Sequence, residues 1–221
     1  MLSSLFHGFR LQPILEVSSD GAVVSHSFEV LSTPKEKSVT IDELFSFLPV
    51  SIHRSLIITQ VSLFSRMDCN YFINIPVSLW LDSEFVDSLC AYRLNNLSFE
   101  IQDSYKLLSL TKIEIGLVSQ SIKKFKELGS QVWIDDINEE YYDISILLGV
   151  TGVKLDKKFV WNSPMLVEVI KDFHELGLVV LAEGVENINV LNRLVSSHID
   201  YVQGFLWPEI NISLDGNLTT I

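Results

Sequence analysis

Short runs of β-branched and aromatic residues alternate along this chain with longer stretches whose apolar positions recur at helical spacing. The short runs read as strands over residues 11–15, 22–30, 71–75, 97–101, 132–134, 152–155, 178–181 and 201–205. Helices fall between most of them. Thr40 and Glu43 form a capping box ahead of Ile41, Leu44, Phe45 and Leu48, and Pro49 stops that helix. The next covers residues 52–67. A long one ends in Lys123, Lys124 and Lys126, cations that suit the C-terminal end of the helix dipole, and Gly129 closes it. Ser163 and Pro164 open another as N-cap and first helical residue, and Gly177 closes it.

The first two strands join through Ser18-Ser19-Asp20-Gly21, a turn sequence, so they form an antiparallel hairpin. From there strand and helix alternate to the end, the order of a parallel sheet. About eight strands, with no linker and no change of composition, favour closure into a barrel. The reading is one α/β domain over residues 1–221, a modified (β/α)8 barrel of the TIM type with an antiparallel first strand.

Composition narrows the function classes. Hydrophobic residues make up 48% and charged residues 20% of the 221, enough for a sizeable core. The longest apolar stretches fall far short of the roughly 20 residues that cross a bilayer, and residues 1–10 lack the form of a signal peptide. The reading is a cytoplasmic protein without a membrane partner. A net charge of -12 speaks against DNA or RNA as partners, which require clustered Lys and Arg. The two cysteines, Cys69 and Cys90, lack CxxC spacing, and His7, His26, His53, His174 and His198 lack ligand spacing, so zinc of the Cys/His type is not expected.

What stands at the strand ends carries the chemistry. Phe72-Ile73 leads to Asn74, Ser98-Phe99 to Glu100, Val132-Trp133-Ile134 to Asp135 and Asp136. Lys154 and Leu155 lead to Asp156, Leu181-Ala182 to Glu183, and Tyr201-Val202 to Gln203. In a parallel barrel these ends meet on one rim, where active sites form. One acid after a strand is commonly a helix N-cap. Four successive strands ending in Asp or Glu instead gather charges that repel unless a cation joins them. Oxygen-only donors point to Mg²⁺ or Mn²⁺, and a pair of such ions suits phosphoester hydrolysis. Lys154 on the same rim can neutralise phosphoryl charge, or simply pair with a neighbouring acid.

These same residues resemble the EAL-domain family of cyclic di-GMP phosphodiesterases. Phe28-Glu29-Val30-Leu31 stands where the family has Glu-Ala-Leu, and Asn74 falls in a segment like V-N-L-S. Glu100-Ile101-Gln102-Asp103 is similar to E-I-T-E, Asp135-Asp136 to the start of D-D-F-G-T-G, and Lys154-Leu155-Asp156 to K-I-D. Ala182-Glu183-Gly184-Val185-Glu186 is identical to A-E-G-V-E. The resemblance implies that Glu29, Asn74, Glu100 and Asp135 hold one metal ion, and that Asp135, Asp136 and Asp156 serve a second. It implies catalytic roles for Glu183, Lys154 and Asp136, with Gln12, Glu186 and Gln203 at the substrate. The implied reaction opens cyclic di-GMP to linear pGpG with Mg²⁺ or Mn²⁺, and a homodimer or a protein regulator are the further partners it suggests.

Three positions depart from the family pattern. Thr33 stands where an arginine usually grips a substrate phosphate, and Asp103 shortens the second acid of E-I-T-E. The loop after Asp136 reads Ile137-Asn138-Glu139-Glu140, without the glycines whose positive φ would let it turn tightly. A second reading therefore stays open at this point: a barrel without catalysis that binds a protein, such as a motility regulator, or senses the nucleotide.

Overall fold

The computed structural model describes residues 2–18, 21–35 and 47–219. The capping box expected at Thr40 and Glu43 lies outside the described residues. A short helix, α1 (Leu2–Leu5), precedes the long strands β1 (Phe6–Val17) and β2 (Val23–Pro34). Then come α2 (Val50–Phe64), β3 (Asn70–Pro76), α3 (Val77–Trp80), α4 (Ser83–Leu89), β4 (Leu97–Gln102), α5 (Lys112–Glu127) and β5 (Gln131–Ile137). The chain continues through α6 (Tyr142–Leu148), β6 (Gly152–Leu155), α7 (Lys157–Asn162), α8 (Leu166–Glu175) and β7 (Val179–Ala182). It closes with α9 (Ile188–Ser196), β8 (Tyr201–Gln203) and β9 (Ile210–Ser213).

Strands β2 to β8 are mutually parallel and follow one another in sheet order, while β1 is antiparallel to both β2 and β8 and closes the ring. This is the barrel with an inverted first strand that the alternation of elements implied. The two opening strands run longer than the sequence pattern suggested, because their pairing continues out to Phe6 opposite Pro34. The ninth strand, β9, was not anticipated; it lies along the outer half of β1, from Gly8 opposite Ser213 to Leu11 opposite Ile210. At the other end the chain stops being a strand at Gln203. A Cβ on Gly204 would sit 2.3 Å from backbone atoms of Val185, so only glycine lets the two loops touch.

Helix ends follow the side chains. Thr111 and Glu114 form a reciprocal capping box at the start of α5, and Lys124 and Lys126 lie in its last turn. Helix α8 starts at Leu166, later than Ser163-Pro164 suggested, because the Ser163 hydroxyl accepts from Met165 N in a turn of its own. Between strands and helices lies the main apolar core. The barrel interior has a separate apolar plug of Ile14, Phe72, Trp133 and Leu181, with the Phe72 and Trp133 rings 5.4 Å apart. That plug is the dry floor on which the polar residues stand. No helix among the described residues is long and apolar enough to cross a membrane.

Candidate active site

Alternation along each strand decides which side chains enter the barrel. Gln12 of β1 lies opposite Glu29 of β2, and Asn74 of β3 lies beside Glu100 of β4. Asp135 follows from β5, Lys154 from β6, and Gln203 from β8, while Glu183 stands just past β7. The centre of the constellation is Lys154. Its ammonium lies 2.8 Å from Glu183, 3.0 Å from both Glu100 and Asp135, and 3.4 Å from Glu29. Its side chain is 1% exposed and that of Glu100 is not exposed at all. Of the two roles open to this lysine, the structure displays the ion-pair role.

Fully ionised, four carboxylates around one ammonium would put three uncompensated negative charges above an apolar floor. Titration behaviour follows from that imbalance. Burial alone would lower the Lys154 pKa, but Asp135, Glu100, Glu183 and Glu29 hold it well above the usual lysine range. Burial works to raise Glu29, yet Lys154 and hydrogen bonds from Gln203 and Asn74 hold it below the usual carboxylate value. Those bonds run from Gln203 Nε2 at 2.5 Å and from Asn74 Nδ2 at 2.7 Å. Glu100 goes well up, through burial and then the charge of Glu29, and Asp135 goes up chiefly through burial. Burial pushes Glu183 up to about 8, and the charge of Asp135 pushes Asp136 up to about 6.

The donor set fits divalent cations. Asn74 Oδ1 and Glu100 Oε1 are buried oxygens that accept no hydrogen bond among the described residues. Such oxygens are costly unless a cation or a proton meets them. Asp135, Asp136 and Glu183 each offer an oxygen, and these lie within 4.8 Å of one another, a span that hard ions bridge. Asp136 reaches this position through a positive φ of 54°, next to a register shift in the β5–β6 pairing. Aspartate tolerates that left-handed conformation better than most residues.

The remaining expected residues are placed as follows. Asp156 stands outside the trio of Asp135, Asp136 and Glu183; its Oδ1 caps α7, accepting from Lys158 N at 2.8 Å and Phe159 N at 3.3 Å. Gln203 Nε2 also donates to Gln12 Oε1 at 2.8 Å, tying β1 to β8. Gln12, Glu183, Gln203 and the exposed Glu186 line one side of the bowl together with Lys157 and Phe205. The loop after Asp136 needs no left-handed residue where the family glycines were missed. Asn138 is extended, at φ -138°, and its side chain accepts from Glu140 N, seating a short 3₁₀ turn over Glu139–Tyr141. Arg10 was not singled out from the sequence. It is two residues from Gln12 on β1, so strand alternation alone would have placed it on the inner face.

The sequence profile of the EAL domain family matches residues 8–209, and the chain belongs to that family. The cyclic di-GMP phosphodiesterase PdeF of Escherichia coli K12 is 29% identical over 119 residues, covering 50% of this chain and 15% of PdeF. The signaling protein YkoW of Bacillus subtilis 168 is 26% identical over 153 residues, covering 63% of this chain and 19% of YkoW. The aligned segment is thus a small part of each of these relatives. The FimX EAL domain of Pseudomonas aeruginosa, solved bound to c-di-GMP, superposes with a TM-score of 0.75 at 18% identity, covering 99% of this chain and 96% of that one. An EAL domain protein of Listeria monocytogenes EGD-e superposes with a TM-score of 0.71 at 20% identity, covering 92% and 88%. At these identities the superpositions speak for the barrel fold.

Proposed function

We propose that this domain hydrolyses cyclic di-GMP to linear pGpG with Mg²⁺ or Mn²⁺ bound at the carboxylate rim. The observation that carries the reading is the buried, under-neutralised bowl of Glu29, Glu100, Asp135 and Glu183 around Lys154, at the strand ends of an EAL-family barrel.

Glu29, Asn74, Glu100 and Asp135 would hold one ion, and Asp135 with Asp136 and Glu183 a second; Asp156 keeps its outer oxygen for the same ion or for an ordered water. When bound, such ions polarise the phosphodiester and lower the pKa of the attacking water. Glu183, just past the end of β7 beside Asp135 and Asp136, would accept that water's proton. Lys154 holds the carboxylates together in the arrangement the ions would occupy. Gln203 donates to both Gln12 and Glu29, and so fixes that ligand from behind. The apolar plug keeps water out from below, which strengthens every charge interaction above it.

The test is chromatography of cyclic di-GMP after incubation with stoichiometric protein and either metal. Linear product is expected from the native chain and not from Glu29→Ala. A second reading, nucleotide binding without turnover, rests on Thr33, which places a neutral side chain on the inner face of β2 beyond Glu29 and Leu31. Saturable binding with no product from the native chain would favour it. A homodimer, a protein regulator and a cytoplasmic setting belong to the same proposal.

A further inference from the structure

A phosphate approaching this bowl meets a surplus of carboxylates, and the central cation is already committed to them. Lys154 has four acids within 3.4 Å and almost no exposure. Any protein cation that holds an anionic ligand beside the ions therefore has to stand at the rim, outside the metal ligands. On the side of the bowl built by β1, β2 and β3, the inward positions among the described residues carry one: Arg10. The register places Gln12 opposite Glu29, Arg10 opposite Leu31, and Gly8 opposite Thr33, so Arg10 stands one rung outward from the acids. Its side chain lines a cavity in common with Leu31, Asn74 and Gln102, on the same wall as the orphaned oxygen of Asn74.

The guanidinium is held without being used up. Arg10 Nη1 donates to both carboxylate oxygens of Glu209, at 2.9 and 3.3 Å, and among the described residues these are its only side-chain hydrogen bonds. The remaining donors of the planar fork, on Nε and Nη2, stay open for a bidentate acceptor. A side chain only 28% exposed, anchored from one edge by Glu209, also loses less freedom on binding than a solvated lysine would.

We propose that Arg10 is a substrate-binding residue of this site, gripping a phosphate of the cyclic dinucleotide with the donors that Glu209 leaves open. The proposal rests on the reading of the bowl as a cyclic di-GMP site. The test is calorimetric titration of cyclic di-GMP into the Mg²⁺-loaded protein, read as Kd, or as KM where product forms. Arg10→Met, which keeps the apolar stem, is expected to weaken binding about 10- to 100-fold, the usual effect of losing a charge-assisted hydrogen bond. Arg10→Lys should recover part of the loss, while Mg²⁺ affinity and the melting temperature stay at native values. Lys123→Ala, a change of equal charge on the exposed face of α5, should bind as the native chain does. Native-strength binding by Arg10→Met overturns the assignment, as does an equal loss in Lys123→Ala. Should Arg10→Met not fold, Arg10→Lys decides: weakened binding supports the grip, unchanged binding overturns it. No binding by the native chain removes the reading of the site and the assignment together, an outcome distinct from binding that ignores Arg10.

Discussion

Replacing Lys154 with methionine keeps the length of the side chain and removes the ammonium from the middle of the bowl. Four carboxylates, 2.8 to 3.4 Å from that ammonium, would then face one another over the plug of Ile14, Phe72, Trp133 and Leu181. Removing one member of a buried ion pair typically costs about 3–5 kcal/mol. For a chain of this size that corresponds to a fall in Tm of about 6–20 °C, at about 2–4 °C per kcal/mol. The pH dependence carries the sharper test. The Lys154 pKa is held above its unfolded value, so its stabilisation is fully present below pH ~10 and is lost only at higher pH. The acids behave oppositely in the variant: with no cation beside them they must take up protons to remain buried, which is cheap at pH 5 and costly at pH 8. Thermal unfolding in EDTA at both values should therefore show a larger deficit for Lys154→Met at pH 8. A deficit below about 1 kcal/mol, the size of an exposed salt bridge, or one larger at pH 5, would refute the reasoning.

Three further outcomes follow from the same geometry. In the native chain without metal, Asp136 and Glu183 titrate near 6 and near 8, above their unfolded values, so the folded state binds more protons and stability falls as pH rises from about 4 to 8. Melting curves in EDTA should show this decline, and a Tm that climbs across the interval would contradict it. Gly152→Ala would put a methyl 2.5 Å from the Trp133 ring and 2.6 Å from Val179 O; overpacking of this kind costs about 1–3 kcal/mol or more, measurable by urea unfolding. Asp136→Asn keeps a residue that tolerates the φ of 54° but removes one charge from the trio, so it should fold normally and bind Mn²⁺ more weakly, whereas Asp136→Val should lose stability as well.

Much of this architecture was legible in the sequence because barrel strands bury both faces and stand out as short apolar runs. The site was legible for a related reason: a polar residue ending such a run has nowhere to point but the rim. Asn74, Glu100, Asp135, Lys154, Glu183 and Gln203 all converge as that pattern implied, and Glu29, which the family resemblance alone singled out, joins them. What was not legible depended on contacts between distant segments. Strand β9 is short, follows Pro208, and exists because β1 extends far enough to offer it an edge. Asp156 lies outside the trio of Asp135, Asp136 and Glu183 and turns one oxygen to the first amides of α7, a contact that the strand pattern alone does not reveal. The loop after Asp136 escapes the strain that its missing glycines suggested, since Asn138 supplies a side-chain cap in an extended conformation.

Whether the acidic bowl takes up divalent metal decides most directly between a metal site and a merely acidic rim. Calorimetric titration of Mn²⁺ into the metal-free protein, run at pH 6 and pH 8 in buffers of different ionisation enthalpy, measures both affinity and the protons released. Saturable binding is predicted, stronger at pH 8 and accompanied by proton release to the buffer as the ion displaces protons from Glu183, Asp136 and their neighbours, and sharply weakened in Glu100→Ala. A flat titration at pH 8, or binding that Glu100→Ala leaves unchanged, would contradict it.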